Sequence, residues 1–495
     1  MKSKSMSYTK PFPIGVLLLI CLGFVSLTFF DTNLNLSFPL FLKRMKSSNR
    51  KLSQSQKNNT EVISPYDQED ILSLAWGLQG SHPMILVFDG AEFKSYFLGH
   101  SYMYFRYVPI IPLMIHALET NYPHRFQPGQ PVFQLVFTVS DFLSSDCIKK
   151  RHLCQVNAFY PPFMSFATVL RDTTIFPTAK AFPNPIFCAC IENWLRGVKT
   201  CKWQEVDHSI PFDDLKNTLI WRGSDFGFLH TFYKHQDDYH QLRNVFSDYS
   251  LAARSDDIIL EELMERYQYL TPRWKAVLLS LRDRLSNEKN NTNLWIDALF
   301  SGTFNGEVHR MLNDIGLQVS DKNPMDAMAM SAYKYQIDLG GGGGTTWQGT
   351  LTKLRMPGVL FHHETQTKDW FYDLMEPYVH YIPVDVDLKS LRAQYDWAEE
   401  NPEKVKRIAE NANKFAEYLL SSEYMESTYQ ELFVDYFGKL IQAYKHQNRS
   451  WKECLELYNK MGLQLREVAH CDDASCFIEW EEGLTYQISK HIKLQ

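Results

Sequence analysis

The sequence contains no long run of basic residues, and this absence argues against a nucleic-acid partner. Its 51 Lys and Arg residues and 57 Asp and Glu residues give a formal net charge of −6, and they are spread along the chain. A nucleic-acid surface requires basic residues concentrated on one face. We therefore expect no nucleic acid among the partners of this protein.

Closely spaced cysteine pairs of the CxxC type are also missing, so a zinc or thiol redox site is not indicated. An even number of cysteines in an oxidising compartment nevertheless favours disulfides, although spacing alone does not determine their pairing. Four Asn-x-Ser/Thr sequons agree with a secreted glycoprotein; they begin at Asn35, Asn58, Asn290 and Asn448. The cysteines beyond residue 31 are Cys147, Cys154, Cys188, Cys190, Cys201, Cys454, Cys471 and Cys476.

One long apolar run lies near the N-terminus. Residues 14–30 form an uncharged stretch of 17 residues behind three lysines, which is the lower limit for a membrane-spanning helix. No small-x-small cleavage site follows it. We interpret residues 1–31 as a cytosolic tail and a single-pass type II signal-anchor, with a cleaved signal peptide as the alternative. The rest of the chain would then be lumenal. No retention tetrapeptide closes the chain, which favours the Golgi membrane over the endoplasmic reticulum.

The remaining chain is predicted to form a stem and two α/β domains. Residues 32–65 are largely polar and typical of a flexible stem. Continuous apolar runs such as PMILVFDG, PVFQLVFTVSD and NTLIWRGSD favour strands of parallel sheets that are buried on both faces. Helix-like segments alternate with them. We place the domain boundary near residue 210, which gives domains at 66–210 and 211–445 and a C-terminal extension at 446–495.

The clearest helix signal is NPEKVKRIAENANKFAEYLL. Asn401 is a candidate N-cap, and Pro402 suits the first helical turn. The apolar stripe expected to face the core consists of Val405, Ile408, Ala412, Phe415 and Leu419.

Five consecutive glycines, at positions 340–344, follow an apolar run that we predict to be a strand. Ligands of parallel α/β sheets bind beyond the carboxyl ends of the strands. Glycines at such a place permit close approach of backbone N–H groups to a phosphate, and a helix that starts directly afterwards adds its own. The pattern is neither GxGxxG nor a Walker loop, so a flexible turn without a ligand is the alternative. The predicted phosphate or diphosphate cradle consists of Gly341, Gly342, Gly343, Gly344, Thr345 and Thr346.

Three charged residues at predicted strand ends are further candidates. Arg222 in LIWRGSD can hold phosphate oxygens through two parallel N–H bonds, with an interdomain salt bridge as the alternative. Asp141 in VFTVSDF lies in the other predicted domain, 66–210, and can act as a general base, with a helix cap or turn as the alternative. Asp89 in LVFDG has a similar position and is the rival base.

The order of these motifs resembles glycosyltransferase family 90, the family of capsule-associated xylosyltransferases and Rumi-type protein O-glucosyltransferases. The similarity extends from about residue 219 to residue 445, and it continues more faintly at Asp141 and at residues 161–177. The segments that carry it are Trp221-Arg222-Gly223, Tyr333-Lys334-Tyr335, Gly341 to Trp347 and Pro377 to Val384.

This resemblance implies an α/β fold of the GT-B-like type, with two Rossmann-like domains and an interdomain cleft, preceded here by the expected transmembrane helix. Residues 66–210 would be the acceptor-side domain and residues 211–445 the nucleotide-sugar domain. Asp141 would be the catalytic base, and Arg222 would bind the diphosphate with the glycine-rich turn. Ser224 and Lys334 are expected to contact the nucleotide, and Asp369 is expected to lie near the donor.

The implied activity is that of an inverting glycosyltransferase. It would move glucose or xylose from a UDP-sugar to a hydroxyl of a protein Ser/Thr or of a polysaccharide, with the UDP-sugar as donor substrate and no tightly bound cofactor. One position departs from the family: its Ser-aromatic-Arg is Thr346-Trp347-Gln348 here. Lys353 or Arg355 are candidates to replace the lost cation. A non-catalytic member that binds a glycan or a protein in the lumen is therefore the alternative. A sulfotransferase would need a basic residue in the loop, which the glycine run lacks.

No metal site is expected. Asp385 and Asp387 form a DxD pattern, but they follow a predicted strand, and we interpret Asp385 as the cap of the next helix. His362, His363 and Glu364 are adjacent and lack the spacing of a zinc site.

Overall fold

The computed structural model describes most of the chain beyond residue 62. All described residues belong to the second of two compact units, Ile63–Gln495; the predicted anchor and most of the predicted stem, like Asp141, lie outside them. Within the described ranges, each helix is too short or too polar to traverse a bilayer. The ranges are 63–78, 81, 83–98, 104–107, 109–140, 162–173, 176, 178–198, 204–229, 232–233, 238–246, 256–290, 293–302, 306–321, 325–471, 475–479 and 485–489.

The described strands are grouped into two large sheets and one two-stranded sheet. They are β1 (Met84–Phe88), β2 (Phe93–Leu98), β3 (Phe133–Thr138), β4 (Phe163–Ser165), β5 (Val169–Leu170), β6 (Ala179–Ala181), β7 (Lys216–Ser224), β8 (Ile296–Gly302), β9 (Tyr333–Ile337), β10 (Val359–His363), β11 (Thr367–Lys368), β12 (Ile382–Val384), β13 (Leu465–Cys471), β14 (Ser475–Glu479) and β15 (Thr485–Ser489).

The described α-helices alternate with these strands. They are α1 (Gln68–Gly77), α2 (Tyr104–Tyr107), α3 (Ile110–Asn121), α4 (Pro185–Leu195), α5 (Asp238–Phe246), α6 (Asp256–Arg266), α7 (Pro272–Asn290), α8 (Gly306–Asp314), α9 (Ala327–Met330), α10 (Gln348–Leu354), α11 (Leu391–Glu400), α12 (Pro402–Leu419), α13 (Ser422–Thr428), α14 (Tyr436–Ala443) and α15 (Trp451–Lys460).

Residues 211–445, called the second block, form a five-stranded sheet in the order β12-β10-β9-β7-β8. All four pairings are parallel, as the continuous apolar runs predict. Leu219 and Trp221 face a large core that helix α7 covers through Trp274 and Val277, whereas Ile220 faces the opposite side of the sheet. Because the sheet is parallel, its strands all end at one edge, and the glycine run lies there.

Residues 66–210, called the first block, form a different kind of sheet together with strands of the C-terminal extension. Its eight strands have the order β15-β14-β13-β2-β1-β3-β4-β6, and β1 is antiparallel to both β2 and β3. Only β3, β4 and β6 run parallel to one another. The prediction of parallel neighbours is therefore wrong for PMILVFDG, which forms β1. It is only partly right for PVFQLVFTVSD, which forms β3 and is antiparallel to β1 but parallel to β4. A strand buried on both faces gives the same apolar run in either direction, so the pattern cannot distinguish them.

The C-terminal extension completes this first sheet. Strand β13 pairs with β2, and helix α15 packs nearby. The indole Nε1 of Trp451 donates to the hydroxyl of Tyr96 at 2.9 Å, and the hydroxyl of Tyr458 donates to Gln134 at 2.8 Å. The extension thus returns to the sheet of the first block.

The predicted helix at NPEKVKRIAENANKFAEYLL is confirmed as α12, and its apolar stripe is buried. The expected capping bond of Asn401 is absent. Its amide nitrogen instead donates to the carbonyl of Trp397 at 2.9 Å, because helix α11 ends only one residue earlier and leaves that carbonyl without a helical partner.

The two blocks meet near the carboxyl edge of the parallel sheet. Strand β5 of the first block pairs with β11 of the second. Next to it, Arg171 donates through its backbone N–H to the carbonyl of Gln366 at 2.9 Å and through Nε to that of Thr365 at 3.0 Å. These contacts hold the segment after β10 against the first block.

Candidate functional site

The glycine run forms a closed turn directly after β9. Gly341 N–H donates to the carbonyl of Thr345 at 3.1 Å, and Gly344 N–H donates to that of Gly341 at 2.9 Å. Gly344 has φ +83°, and a Cβ there would lie 2.9 Å from both Leu229 Cδ1 and Thr365 Oγ1. Only glycine fits this position without strain, so the run is an ordered turn.

Several donors of this turn are available to a ligand. The N–H groups of Gly342 and Gly343 donate to no group in the described part of the chain. Thr345 Oγ1 is buried, and it too has no hydrogen-bond partner there. Thr346 differs, because its hydroxyl lies 2.7 Å from that of Thr350. Of the two predicted hydroxyl donors, Thr345 is therefore the one that remains available.

A cation that sequence reasoning missed, Arg273, lies against the turn. It is buried in the first turn of α7, and a Cβ on Gly341 would sit 2.9 Å from its Nη2. Its Nη1 donates to the carbonyl of Ser224 at 2.6 Å, and its Nη2 donates to that of Leu339 at 3.0 Å. The guanidinium is thus tied to the carboxyl ends of β7 and β9, where a phosphate on the turn would meet it.

Lys353 is a second cation beside the turn. Its side chain is buried and folds back along α10, so that Nζ lies 3.7 Å from where a Cβ on Gly349 would stand. Arg355, the other candidate replacement for the missing family arginine, donates instead to the carbonyl of Gln204 at 2.7 Å.

Behind the turn lies the fully buried carboxylate of Asp338. It accepts from Thr350 Oγ1 at 2.7 Å, from His362 Nδ1 at 2.8 Å and from the N–H of His363 at 2.8 Å. Burial raises the pKa of Asp338, but the His362 interaction and these hydrogen bonds outweigh it and hold the pKa below its usual value. A charged Asp338 therefore fixes Thr350, and through it Thr346.

His363 fixes the start of the turn. Its Nδ1 accepts from Gly340 N–H at 3.1 Å, and its Nε2 lies 3.0 Å from the carbonyl of Val386. This requires a neutral ring with the proton on Nε2. Burial lowers the pKa of His363 to about 4, which agrees with that tautomer.

The strand that leads to Asp141 ends beside the turn, although Asp141 itself lies outside the described residues. Arg106 Nη1 donates to the carbonyl of Val139 at 3.0 Å, and the same guanidinium lies 4.1 Å from the ring centroid of Trp347. Arg106 therefore connects the residue that follows β3 with the end of the glycine turn.

Asp89, the rival base, is placed elsewhere. It accepts from the N–H groups of Ala91 at 2.9 Å and Glu92 at 3.0 Å and forms an ion pair with Lys94 at 2.9 Å, as expected of a hairpin turn. Because β1 is antiparallel to β3, Asp89 lies at the opposite edge of the sheet from Val139.

Arg222 is engaged in buried ion pairs. Its Nη2 donates to Asp297 Oδ2 at 2.9 Å and its Nε donates to Asp321 Oδ2 at 3.1 Å. Asp297 is level with Ile220 in the sheet, so the guanidinium turns back toward the amino end. This is the salt-bridge alternative considered for Arg222, and its binding of phosphate stays a prediction.

The other predicted contacts are divided between the two ends of the sheet. Lys334 lies at the amino end of β9, with Nζ 5.5 Å from the ring centroid of Phe212, about 20 Å of strand away from the glycine turn. Ser224 is at the carboxyl edge, where its carbonyl binds Arg273. Asp369 is buried after β11, and its Oδ1 accepts from the N–H of Trp370 at 2.8 Å.

Asp385 of the DxD pattern has a structural role. It accepts from the N–H groups of Ser390 at 2.7 Å and Lys389 at 3.2 Å, so it closes the turn before α11. The prediction that it caps the helix itself is wrong, because the N-cap residue is Ser390. In the described part, no group of three or more His, Cys, Asp or Glu side chains is placed to hold a metal. Cys188 and Cys454 are buried free thiols, whereas Cys190 is disulfide-bonded.

Comparison with protein families shows a match to Glycosyl transferase family 90 over residues 284–467. The resemblance to that family is confirmed. The family 90 segment includes the Tyr333-Lys334-Tyr335 motif, the glycine turn and Pro377 to Val384. It begins downstream of Arg222 and Asp141, whose correspondence to family residues stays a prediction.

Individual relatives are similar over short segments. Protein O-glucosyltransferase 2 of Danio rerio is 32% identical over 130 residues, which are 25% of this chain and 24% of that protein. Protein O-glucosyltransferase 3 of Homo sapiens is 27% identical over 110 residues, which are 21% and 20% of the two chains. The chain thus spans between a fifth and a quarter of the length of these relatives.

A solved structure of Anabaena Alr3699/HepE in complex with UDP also matches, with a TM-score of 0.30 and 12% identity. The match covers 65% of this chain and 75% of that one. The complex of the same protein with UDP-glucose matches with a TM-score of 0.27 and 10% identity, over 58% of this chain and 67% of that one.

Proposed function

We propose that this protein is an inverting glycosyltransferase that transfers glucose or xylose from a UDP-sugar to a hydroxyl of a protein or a glycan. The observation that carries the proposal is the contact of Arg106 with both Val139 and Trp347. It brings the approach to a candidate base beside a turn that offers backbone N–H groups and two cations. The names of the O-glucosyltransferase relatives agree with this chemistry.

The donor diphosphate would bind at the carboxyl edge of the parallel sheet. Gly342 and Gly343 supply N–H groups, Thr345 supplies a hydroxyl, and Arg273 supplies charge-assisted hydrogen bonds. Such donors stabilise negative charge where it develops. In this assignment Arg273 has the role that the resemblance to family 90 implies for Arg222.

The transfer would be a single displacement. The acceptor oxygen attacks the anomeric carbon, its proton passes to the carboxylate of Asp141, and the bond from that carbon to the phosphate oxygen breaks on the opposite face. UDP leaves with the additional negative charge, which Arg273 and the turn N–H groups stabilise. No step requires a metal or another cofactor.

Asp141→Asn tests the base, with Asp89→Asn as the matched control. We expect Asp141→Asn to lower turnover of UDP-glucose or UDP-xylose by about two to four orders of magnitude and to leave UDP binding nearly unchanged. Asp89→Asn, at the opposite edge of the sheet, should retain turnover. Normal turnover in Asp141→Asn, or loss of UDP binding with it, would remove Asp141 from this role.

The alternative, a non-catalytic lumenal binding protein, is favoured by one feature of the sequence. Gln348 stands where the resemblance to family 90 implies an arginine. The two functions are separated by measuring UDP release from UDP-glucose and UDP-xylose. Binding of UDP without any release above the Asp141→Asn background would favour the binding protein.

The proposal includes membrane anchoring through residues 14–30 and a Golgi or endoplasmic reticulum location. Its support is the apolar run and the sequons of the sequence. Glycosidase treatment of the protein from secretory cells should reduce its apparent mass if the sequons face the lumen. An unchanged mass would argue against this orientation.

A further inference from the structure

We propose that Lys353 is a second diphosphate-binding cation beside Arg273, and that it stands in for the arginine that the resemblance to family 90 implies at position 348. This rests on the proposed function and specifies the ligand contact within the same site. Lys353 is 7% exposed, and its ammonium forms no ion pair or hydrogen bond with any residue of the described part. A largely buried lysine without a carboxylate partner is costly, so such a side chain indicates an anion site.

The direction of the side chain fits this role. A helical side chain leans toward the helix N-terminus, and Lys353 therefore extends from the end of α10 to its first turn. Both its Nζ and Thr346 Oγ1 lie within 4 Å of the place a Cβ on Gly349 would take. The ammonium thus lies beside the threonines that end the glycine turn, one helical turn from Gln348.

The charged groups around Lys353 agree with an anion between them. Burial lowers the pKa of Lys353; the carboxylate of Asp338 opposes this shift, and the guanidinium of Arg273 adds to it. Arg273 and Lys353 thus repel each other at one turn. A bound diphosphate would relieve that repulsion, because its negative charge would lie between the two cations.

The test compares Lys353→Met with the wild-type full chain by calorimetric titration of UDP, inorganic pyrophosphate and uridine. Methionine preserves the length of the side chain and removes the charge. We expect affinity for UDP and pyrophosphate to fall about 10- to 100-fold and affinity for uridine to change little. Adding Gln348→Arg to Lys353→Met should restore most of the UDP affinity, because it returns the family cation to its place.

Two readouts separate binding from a merely structural role. Lys353→Arg, which keeps the positive charge, should retain pyrophosphate affinity within a few-fold of the wild type, whereas Lys353→Met should lose it. The thermal midpoint of the unliganded Lys353→Met protein should equal or exceed that of the wild type, because a buried charge has been removed. A lower midpoint with unchanged UDP and pyrophosphate affinity would overturn the proposal and make Lys353 a structural residue.

The outcomes also separate this proposal from the proposed function. If the wild type binds pyrophosphate but not UDP, and Lys353→Met binds neither, the anion site stands and the UDP-sugar function fails. If the wild type binds UDP and Lys353→Met binds it equally well, the function stands and Lys353 is not its cation. If the wild type binds neither anion, both are overturned.

Discussion

Two buried arginines near the carboxyl ends of the parallel strands have different neighbours. Arg222, near the end of β7, is neutralised by Asp297 and Asp321. Arg273 donates instead to backbone carbonyls beside the glycine turn, where two N–H groups have no acceptor in the described part and the Lys353 ammonium has no described partner. The surroundings of Arg222 stabilise the fold, and those of Arg273 have the features of an anion site. The sequence motif that contains a cation therefore does not reveal which of these roles the cation has.

The largest effect should come from removing Arg222. Arg222→Met leaves Asp297 and Asp321 without their cation, so we expect the free energy of unfolding to fall by about 3–5 kcal/mol. Denaturant unfolding measures this loss. UDP affinity of the folded fraction should stay within a few-fold of the wild type. A stable Arg222→Met protein that no longer binds UDP would reverse the roles assigned to Arg222 and Arg273.

A smaller effect concerns two buried histidines, of which one lies at the glycine turn and the other in the core. His363 binds the first residue of the turn, and His380 packs on Phe415 far from it. Burial lowers the pKa of each to about 4 from an ordinary 6.5. Below pH 6.5 both histidines are therefore protonated in the unfolded chain. In the folded chain they stay neutral until the pH falls to about 4. Stability is full above pH 6.5 and should fall by about 3 kcal/mol per histidine as the pH drops to 4.

His380→Asn isolates one of these contributions, because the Asn oxygen can still accept from Glu376 N–H, which His380 Nδ1 does at 3.0 Å. Unfolding measured from pH 7 to pH 4 should show a shallower loss of stability for this variant than for the wild type. An identical pH dependence would mean that His380 does not remain neutral in the folded protein.

The smallest expected effect is the difference between two glycine variants, which separates an ordered turn from a merely flexible one. Gly344 and Gly129 have similar φ values, +83° and +89°, but only Gly344 lacks space for a Cβ. Gly129→Ala should cost about 1–2 kcal/mol for the left-handed backbone. Gly344→Ala should cost a further 1–3 kcal/mol or so from overpacking. If both variants lost the same free energy of unfolding in denaturant, the glycine turn would have room for a Cβ at position 344.

Several parts of this structure could be predicted from the sequence for physical reasons. Long apolar runs after a polar break predict the parallel strands β7, β9 and β10, and Pro402 with its apolar stripe predicts helix α12. Strand direction in the first sheet could not be predicted, because β1 and β3 are buried on both faces whichever way they run. The pairing of β13 with β2 joins segments far apart in sequence and carries no local signal.

The candidate site was predictable only in part. The glycine turn follows from its composition and its place after a strand. Arg273 had a signal that was missed: Thr271-Pro272 marks a helix start, and a helix between parallel strands begins at their carboxyl edge. The orientation of Arg222 depends on Asp297 and Asp321, which are distant in sequence. Arg106 has no sequence signal, since its role depends on the packing of the first block against Trp347.

The central claim is that the turn at the carboxyl edge of the parallel sheet binds the diphosphate of a UDP-sugar. Its most direct test is calorimetric titration of UDP into the wild type, Arg273→Lys and Arg222→Lys. We predict that the wild type binds UDP, that Arg273→Lys loses about 10- to 100-fold in affinity because a lysine cannot reproduce two parallel donors, and that Arg222→Lys retains affinity. Loss of affinity in Arg222→Lys with full affinity in Arg273→Lys would contradict the account.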